Sequence, residues 1–97
     1  MELLIKTAIE NKHLLSFTYK DKNRVVEPYT FGQSKQGKDT LSAFQLKGGS
    51  DESQDMCWRQ FALREMKNLT LLDDTFENTR EDYHVDNAKM SFVYWTI

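Results

Sequence analysis

Along the first dozen residues, the segment ELLIKTAIENKH places Leu4, Ile5, Ala8 and Ile9 at three- and four-residue spacing, with Glu2, Lys6, Glu10 and Lys12 elsewhere. That period predicts a short amphipathic helix over 1–13, its apolar stripe set to lie on a sheet. At LLSFTY the period changes to two. Leu15, Phe17 and Tyr19 fall on one face and Ser16 and Thr18 on the other, as in a half-buried strand. KDKN reads as a polar turn, and RVVEPYTFG as the start of the return strand of a hairpin.

The return strand holds the chain's one proline, Pro28, which has no N–H to give to a ladder. It belongs at an edge, a bulge or a sharp bend. GQSKQGKD, bracketed by Gly32 and Gly37, is a second turn region, TLSAFQLKG a third strand, and GGSDESQD an exposed acidic loop. CWRQFALREM is a fourth strand running on into EMKNLTLLDDTF, and MSFVYWTI, rich in aromatic and β-branched residues, a fifth. The expected fold is mainly β (α+β): one N-terminal helix on a small bent antiparallel sheet, or partly open barrel, of about five strands. Residues 14–76 would form the β core, and 77–97 an acidic connection and the C-terminal strand. Leu4, Ile5, Ile9, Phe17, Leu41, Ala43, Phe61 and Leu63 are the expected core.

Composition narrows the classes. At 97 residues, 39% hydrophobic and 29% charged, the chain suits one small globular domain. A single cysteine rules out an internal disulfide, and no segment approaches the ~20 apolar residues of a membrane span, so the expectation is a cytoplasmic protein without a membrane partner. The net charge of −2 hides a split: residues 1–67 carry 11 Lys+Arg against 9 Asp+Glu, residues 68–97 only 2 against 6. An anion site therefore belongs in the first two thirds.

No catalytic, metal or cofactor set emerges. Cys57 is a nucleophile only if His13 or His84 reaches it, and an isolated thiol on an apolar strand is usually a packing residue. His84 between Asp82 and Asp86 lacks a second His or Cys at ligand spacing. Asp73 and Asp74 are adjacent and read as loop or turn residues rather than an acid–base pair. Gly48 and Gly49 are followed by acids, which repel phosphate, instead of a Lys-Ser/Thr pair opening a helix. The expectation is no enzyme.

The aromatic and basic residues are what remains. Tyr29, Phe31, Phe44, Trp58 and Phe61 sit on or beside expected strands, interspersed with Arg24, Lys35, Lys47, Arg59 and Arg64. Most of the rings must serve the core of so small a domain. Arginine is different, since it seldom buries unless paired. Strict alternation through CWRQFALREM sets Arg59 and Cys57 on the side of Phe61, and Trp58 and Arg64 outward. Arg59 is thus expected at a rim, paired with Glu27 or with a ligand anion, and Arg24 on the adjacent surface.

The order of short motifs, a helix LLIKTAIENKH, a strand ending FTY, then R--EP---G, K-GKD-L-AFQ--G-S and WR-F-L, resembles the WYL domain in a compact variant with Glu-Pro in its second strand. The resemblance covers about residues 3–76. At the positions that name that family this chain has Asp39, Thr40 and Leu41, so the Trp and Tyr are absent. The resemblance implies an Sm-like small β-barrel with an N-terminal helix, and a ligand-sensing module of bacterial or phage regulators and defence proteins. It implies a nucleic acid or nucleotide held by Arg24, Arg59 and Arg64. Tyr29, Phe44 or Trp58 would offer stacking faces worth about 1–3 kcal/mol per base. Only one or two residues precede the helix, so no helix-turn-helix reader of duplex DNA is expected, and the chain is a free-standing binder or a piece of a longer protein. The expected partners are single-stranded nucleic acid or a nucleotide. A second reading is pairing through MSFVYWTI, as a homodimer or with a larger bacterial or phage protein.

Overall fold

A computed structural model describes residues 1–48, 56–83 and 89–97. The chain runs through helix α1 (Glu2–Asn11) and strands β1 (His13–Tyr19), β2 (Lys22–Ser34), β3 (Asp39–Lys47) and β4 (Cys57–Ala62), then a 3₁₀ turn (Leu63–Glu65), β5 (Lys67–Thr75) and β6 (Met90–Thr96). The fold is mainly β, one antiparallel sheet in the order β4-β3-β2-β1-β5, with β6 joined to β2. The edges of β4 and β5 do not pair with each other, so the bent sheet stays open rather than closing into a barrel.

Local chemistry sets the corners. α1 stops where Lys12 turns left-handed (φ 55°) and gives its N–H to the Ala8 carbonyl. The β1–β2 turn places Lys20 and Asp21 both at positive φ, which matches the twist of a tight hairpin.

β2 is 13 residues long because it serves two partners: its first half pairs with β1 and its second with β6. Pro28 sits at the changeover, and the register against β3 slips between Pro28 and Thr30, leaving Tyr29 as the extra residue. The bend thus falls where a ladder donor is missing. Gly32 is the second fixed point, since a Cβ there would collide with the Phe92 carbonyl of β6.

α1 buries Ile5, Ala8 and Ile9 against Leu15, Phe17, Val26, Phe31, Leu41, Ala43, Phe61 and Met66 on one face of the sheet. Phe17, Tyr19 and Phe61 meet edge to face at 4.9–6.2 Å. Six of the eight expected core residues are buried, while Leu4 and Leu63 pack against the cluster half-buried.

The sheet has six strands rather than five. The long strand expected from 57 to 75 is interrupted at 63–65, because β4 pairs with β3 at one edge and β5 with β1 at the other. The chain must cross between edges, and the 3₁₀ turn does so, with the Met66 N–H on the Leu63 carbonyl and buried Met66 beneath. The Ala62 N–H is satisfied by the Tyr19 hydroxyl.

Candidate anion site and the opposing aromatic face

Residues paired directly across strands share a face of the sheet. The pairs Phe17–Arg24, Val26–Gln45, Gln45–Cys57 and Ala43–Arg59 therefore put Arg24, Gln45, Cys57 and Arg59 on the same side as the core. They form its polar margin, beside Tyr19 and Phe61.

Arg24 is 6% exposed. Its Nη1 donates to Gln45 Oε1 (2.9 Å) and its Nη2 to the Tyr19 carbonyl (3.2 Å), while its guanidinium lies 5.7 Å from the Tyr19 ring and 5.9 Å from the Phe61 ring. Its Nε is buried with no acceptor among the described residues, and the Nε of Arg59 is in the same condition. Burial, and then the charge of Arg59, pull the Arg24 pKa below its ordinary value. Among the described residues no carboxylate hydrogen-bonds or ion-pairs with either arginine. The two guanidinium groups thus lie in a corner with no counter-ion among the described residues, where an oxyanion could receive charge-assisted bonds from planar N–H forks.

The expected Arg59–Glu27 pair does not form. Glu27 lies opposite Phe44 in the ladder and Phe44 opposite Trp58, so Glu27 faces the far side of the sheet from Arg59. There it is bound by Arg80 in a two-pronged pair, Nε to Oε1 (3.0 Å) and Nη2 to Oε2 (3.1 Å), and it accepts the Tyr29 hydroxyl (3.1 Å). The sequence signal for Arg80 is slight: it is one of two basic residues among the acids of 68–97.

This second face is aromatic. The Tyr29 ring lies 4.8 Å from Trp58, 4.7 Å from Tyr83 and 5.5 Å from Phe76, Trp58 lies 5.3 Å from Phe44, and the Arg80 guanidinium covers Phe44 at 3.9 Å. Segment 76–83 folds over the sheet to close it. Trp58 Nε1 donates to Asp82 (2.8 Å), and the Tyr83 hydroxyl meets Thr30 (2.6 Å) and Thr96. Burial pushes the Tyr29 hydroxyl up to about 12. Tyr29, Phe44 and Trp58 therefore come together with one another, with their faces engaged by the protein's own side chains, and on the opposite side from Arg24 and Arg59.

Arg64 joins neither group. It is exposed on the 3₁₀ turn and lines a separate cleft of about 670 Å³ with Lys38, Asp39, Leu63, Met66 and Tyr94. The other sequence candidates find structural roles or fall outside the described residues. His13 bonds the Leu72 carbonyl (2.8 Å). Asp73 and Asp74, expected in a loop, are both exposed on β5, where adjacent residues point to opposite faces. Gly48 ends β3 at φ 97° against the Asn23 carbonyl, while Gly49, His84 and Asp86 lie outside the described residues. Among the described residues no group of three or more His, Cys, Asp or Glu could hold a metal, and no helix is long and apolar enough to cross a membrane. Set against protein-family models, curated proteins and solved structures, the chain matches none.

Proposed function

We propose that the chain is a non-enzymatic binding module for a phosphate-bearing ligand, a nucleotide or a short single-stranded nucleic acid, held at the Arg24–Arg59 corner. The observation that carries this reading is the pair of buried Nε groups, on Arg24 and Arg59, that find no acceptor among the described residues, together with the charge of Arg59 acting on Arg24. A buried polar hydrogen without a partner costs about 1–3 kcal/mol, and the positive charge of Arg59 adds to the cost of burying Arg24. A phosphate held by the part-exposed Arg59 would offset the charge, and would satisfy its Nε once the side chain turned toward the ligand. The resemblance to WYL domains supports the same choice and adds a regulatory role in a bacterial or phage setting.

Stacking is not part of this site, since Tyr29, Phe44 and Trp58 turn to the other face. Recognition would rest on the phosphate, with weak preference among bases and, for so few contacts, weak binding and a shallow dependence on salt. The test is titration with nucleoside mono- and triphosphates and mixed-sequence oligonucleotides in low salt, for the wild type and Arg59→Gln. Binding tighter than millimolar that Arg59→Gln weakens is expected. No binding below about 1 mM removes the reading.

A further inference from the structure

Cys57 is the chain's one cysteine, and the sequence alone marks it as a packing residue. Its setting is polar instead. It lies on the core face of β4, the face that also carries Arg59 two residues on, and directly across the ladder from Gln45. Gln45 in turn accepts Arg24 Nη1 at 2.9 Å. The thiol is half-buried rather than sealed in. Electrostatics tie the same groups together: burial and then Arg59 pull the Arg24 pKa down, while Tyr19 and then Cys57 push it up.

A second observation gives this position its chemistry. Arg24 is 6% exposed, and its Nε has no acceptor among the described residues. A dissolved anion meets the part-exposed Arg59 first, and Arg24 lies too deep to greet it. An anion carried by residue 57 starts inside the corner, on the face that both arginines share. A protein can make such a group from its own side chain by oxidising a thiol to a sulfinic acid, which ionises and offers two acceptor oxygens.

We propose that Cys57 is an oxidation site for hydrogen peroxide, and that its sulfinate becomes the counter-ion of Arg24 and Arg59 and so displaces the phosphate ligand. The displacement rests on the function proposed above; the oxidation does not. In the first step the sulfur bonds one peroxide oxygen as the O–O bond breaks, and the other oxygen leaves with the thiol proton as water, giving the sulfenic acid. A second peroxide repeats the exchange, and the sulfinic acid then gives up its proton. Each step oxidises the sulfur by two electrons and reduces one peroxide to water. Negative charge builds on the departing oxygen, and a neighbouring guanidinium is placed to stabilise it.

The test treats the reduced full chain with about one to ten equivalents of hydrogen peroxide, followed by peptide mass mapping, calorimetry and titration with a nucleoside triphosphate. Two added oxygens on Cys57 are expected, with a Tm raised by several degrees and an affinity lowered at least about tenfold. Cys57→Ser, given the same dose, is expected to keep its Tm and its affinity, which sets aside oxidation of the four methionines. Arg59→Gln is expected to gain less Tm on oxidation than the wild type. A Cys57 that remains a thiol overturns the proposal. So does an oxidised Cys57 with unchanged or lower Tm, a gain undiminished in Arg59→Gln, an unchanged affinity, or a loss of affinity that Cys57→Ser shares. A reduced wild type that binds no nucleotide removes the proposed function instead, and the mass and Tm readings still decide whether Cys57 becomes the counter-ion.

Discussion

Arg59→Met should make the ligand-free protein more stable while abolishing its response to phosphate. The gain comes from two removals: a buried Nε with no acceptor, and a positive charge beside Arg24, whose own pKa both burial and Arg59 depress. The first is worth about 1–3 kcal/mol where the group is fully desolvated. Arg59 is only partly buried, so the low end applies, and some contact of its aliphatic stem is kept by the unbranched Met. The net expectation is about 1 kcal/mol, which in a domain of this size raises Tm by roughly 4–8 °C. Calorimetry with and without millimolar phosphate or nucleotide reads both effects. The wild type should gain stability with anion, as any ligand of the native state imposes, and the variant should not. A fall in Tm on Arg59→Met, with ligand binding unchanged, would refute the reasoning: Arg59 would then be holding the fold together.

Phe61→Ala removes a ring that is 1% exposed and set edge to face between Phe17 and Tyr19; a loss of about 3–5 kcal/mol is expected by urea unfolding, and a near-neutral result would mean that β4 faces the other way. Arg80→Ala should cost about 2–3 kcal/mol by leaving Glu27 unpaired, less than a fully buried pair because the Arg80 side chain is 32% exposed. Adding Glu27→Gln to it should recover part of that loss. Tyr29, with its folded-state pKa raised to about 12, contributes stability that is complete below about pH 10 and is lost as pH rises through 12. Thermal melts between pH 9 and 12 should fall in the wild type by the equivalent of up to about 3 kcal/mol and more gently in Tyr29→Phe.

What was legible in the sequence depended on period. The two-residue alternation of LLSFTY and the helical spacing of Leu4, Ile5, Ala8 and Ile9 are local facts, and both elements lie where that spacing sets them. Pro28 announced a bend because a missing N–H has few places to go. The interruption at 63–65 was not legible. FALREM continues a plausible alternation, and only the need to carry the chain from the β3 edge to the β1 edge breaks it. The doubled use of β2 was hidden for the same reason, since no local pattern reveals that one strand will have two neighbours along one side.

The site was half legible for a related cause. Alternation places Arg59 with Phe61 and away from Trp58, and that much follows from CWRQFA alone. What covers Trp58 does not, because Tyr83 and Arg80 arrive from a segment with no periodic signal. Residue type suggested a single site in which rings stack and arginines pair. A sheet one residue thick separates the two, however, and the rings already have partners: Trp58 stacks with Tyr83 at 5.8 Å while Arg80 lies on Phe44. Arg80 and Tyr83 occupy the positions, against those rings, that a guanidinium and a base would otherwise compete for. The arginines of the other face have no such occupant among the described residues. A polar group left without its partner in a folded protein is the costlier state. It is that asymmetry, more than the presence of basic residues, which distinguishes the Arg24–Arg59 corner from the aromatic face behind it.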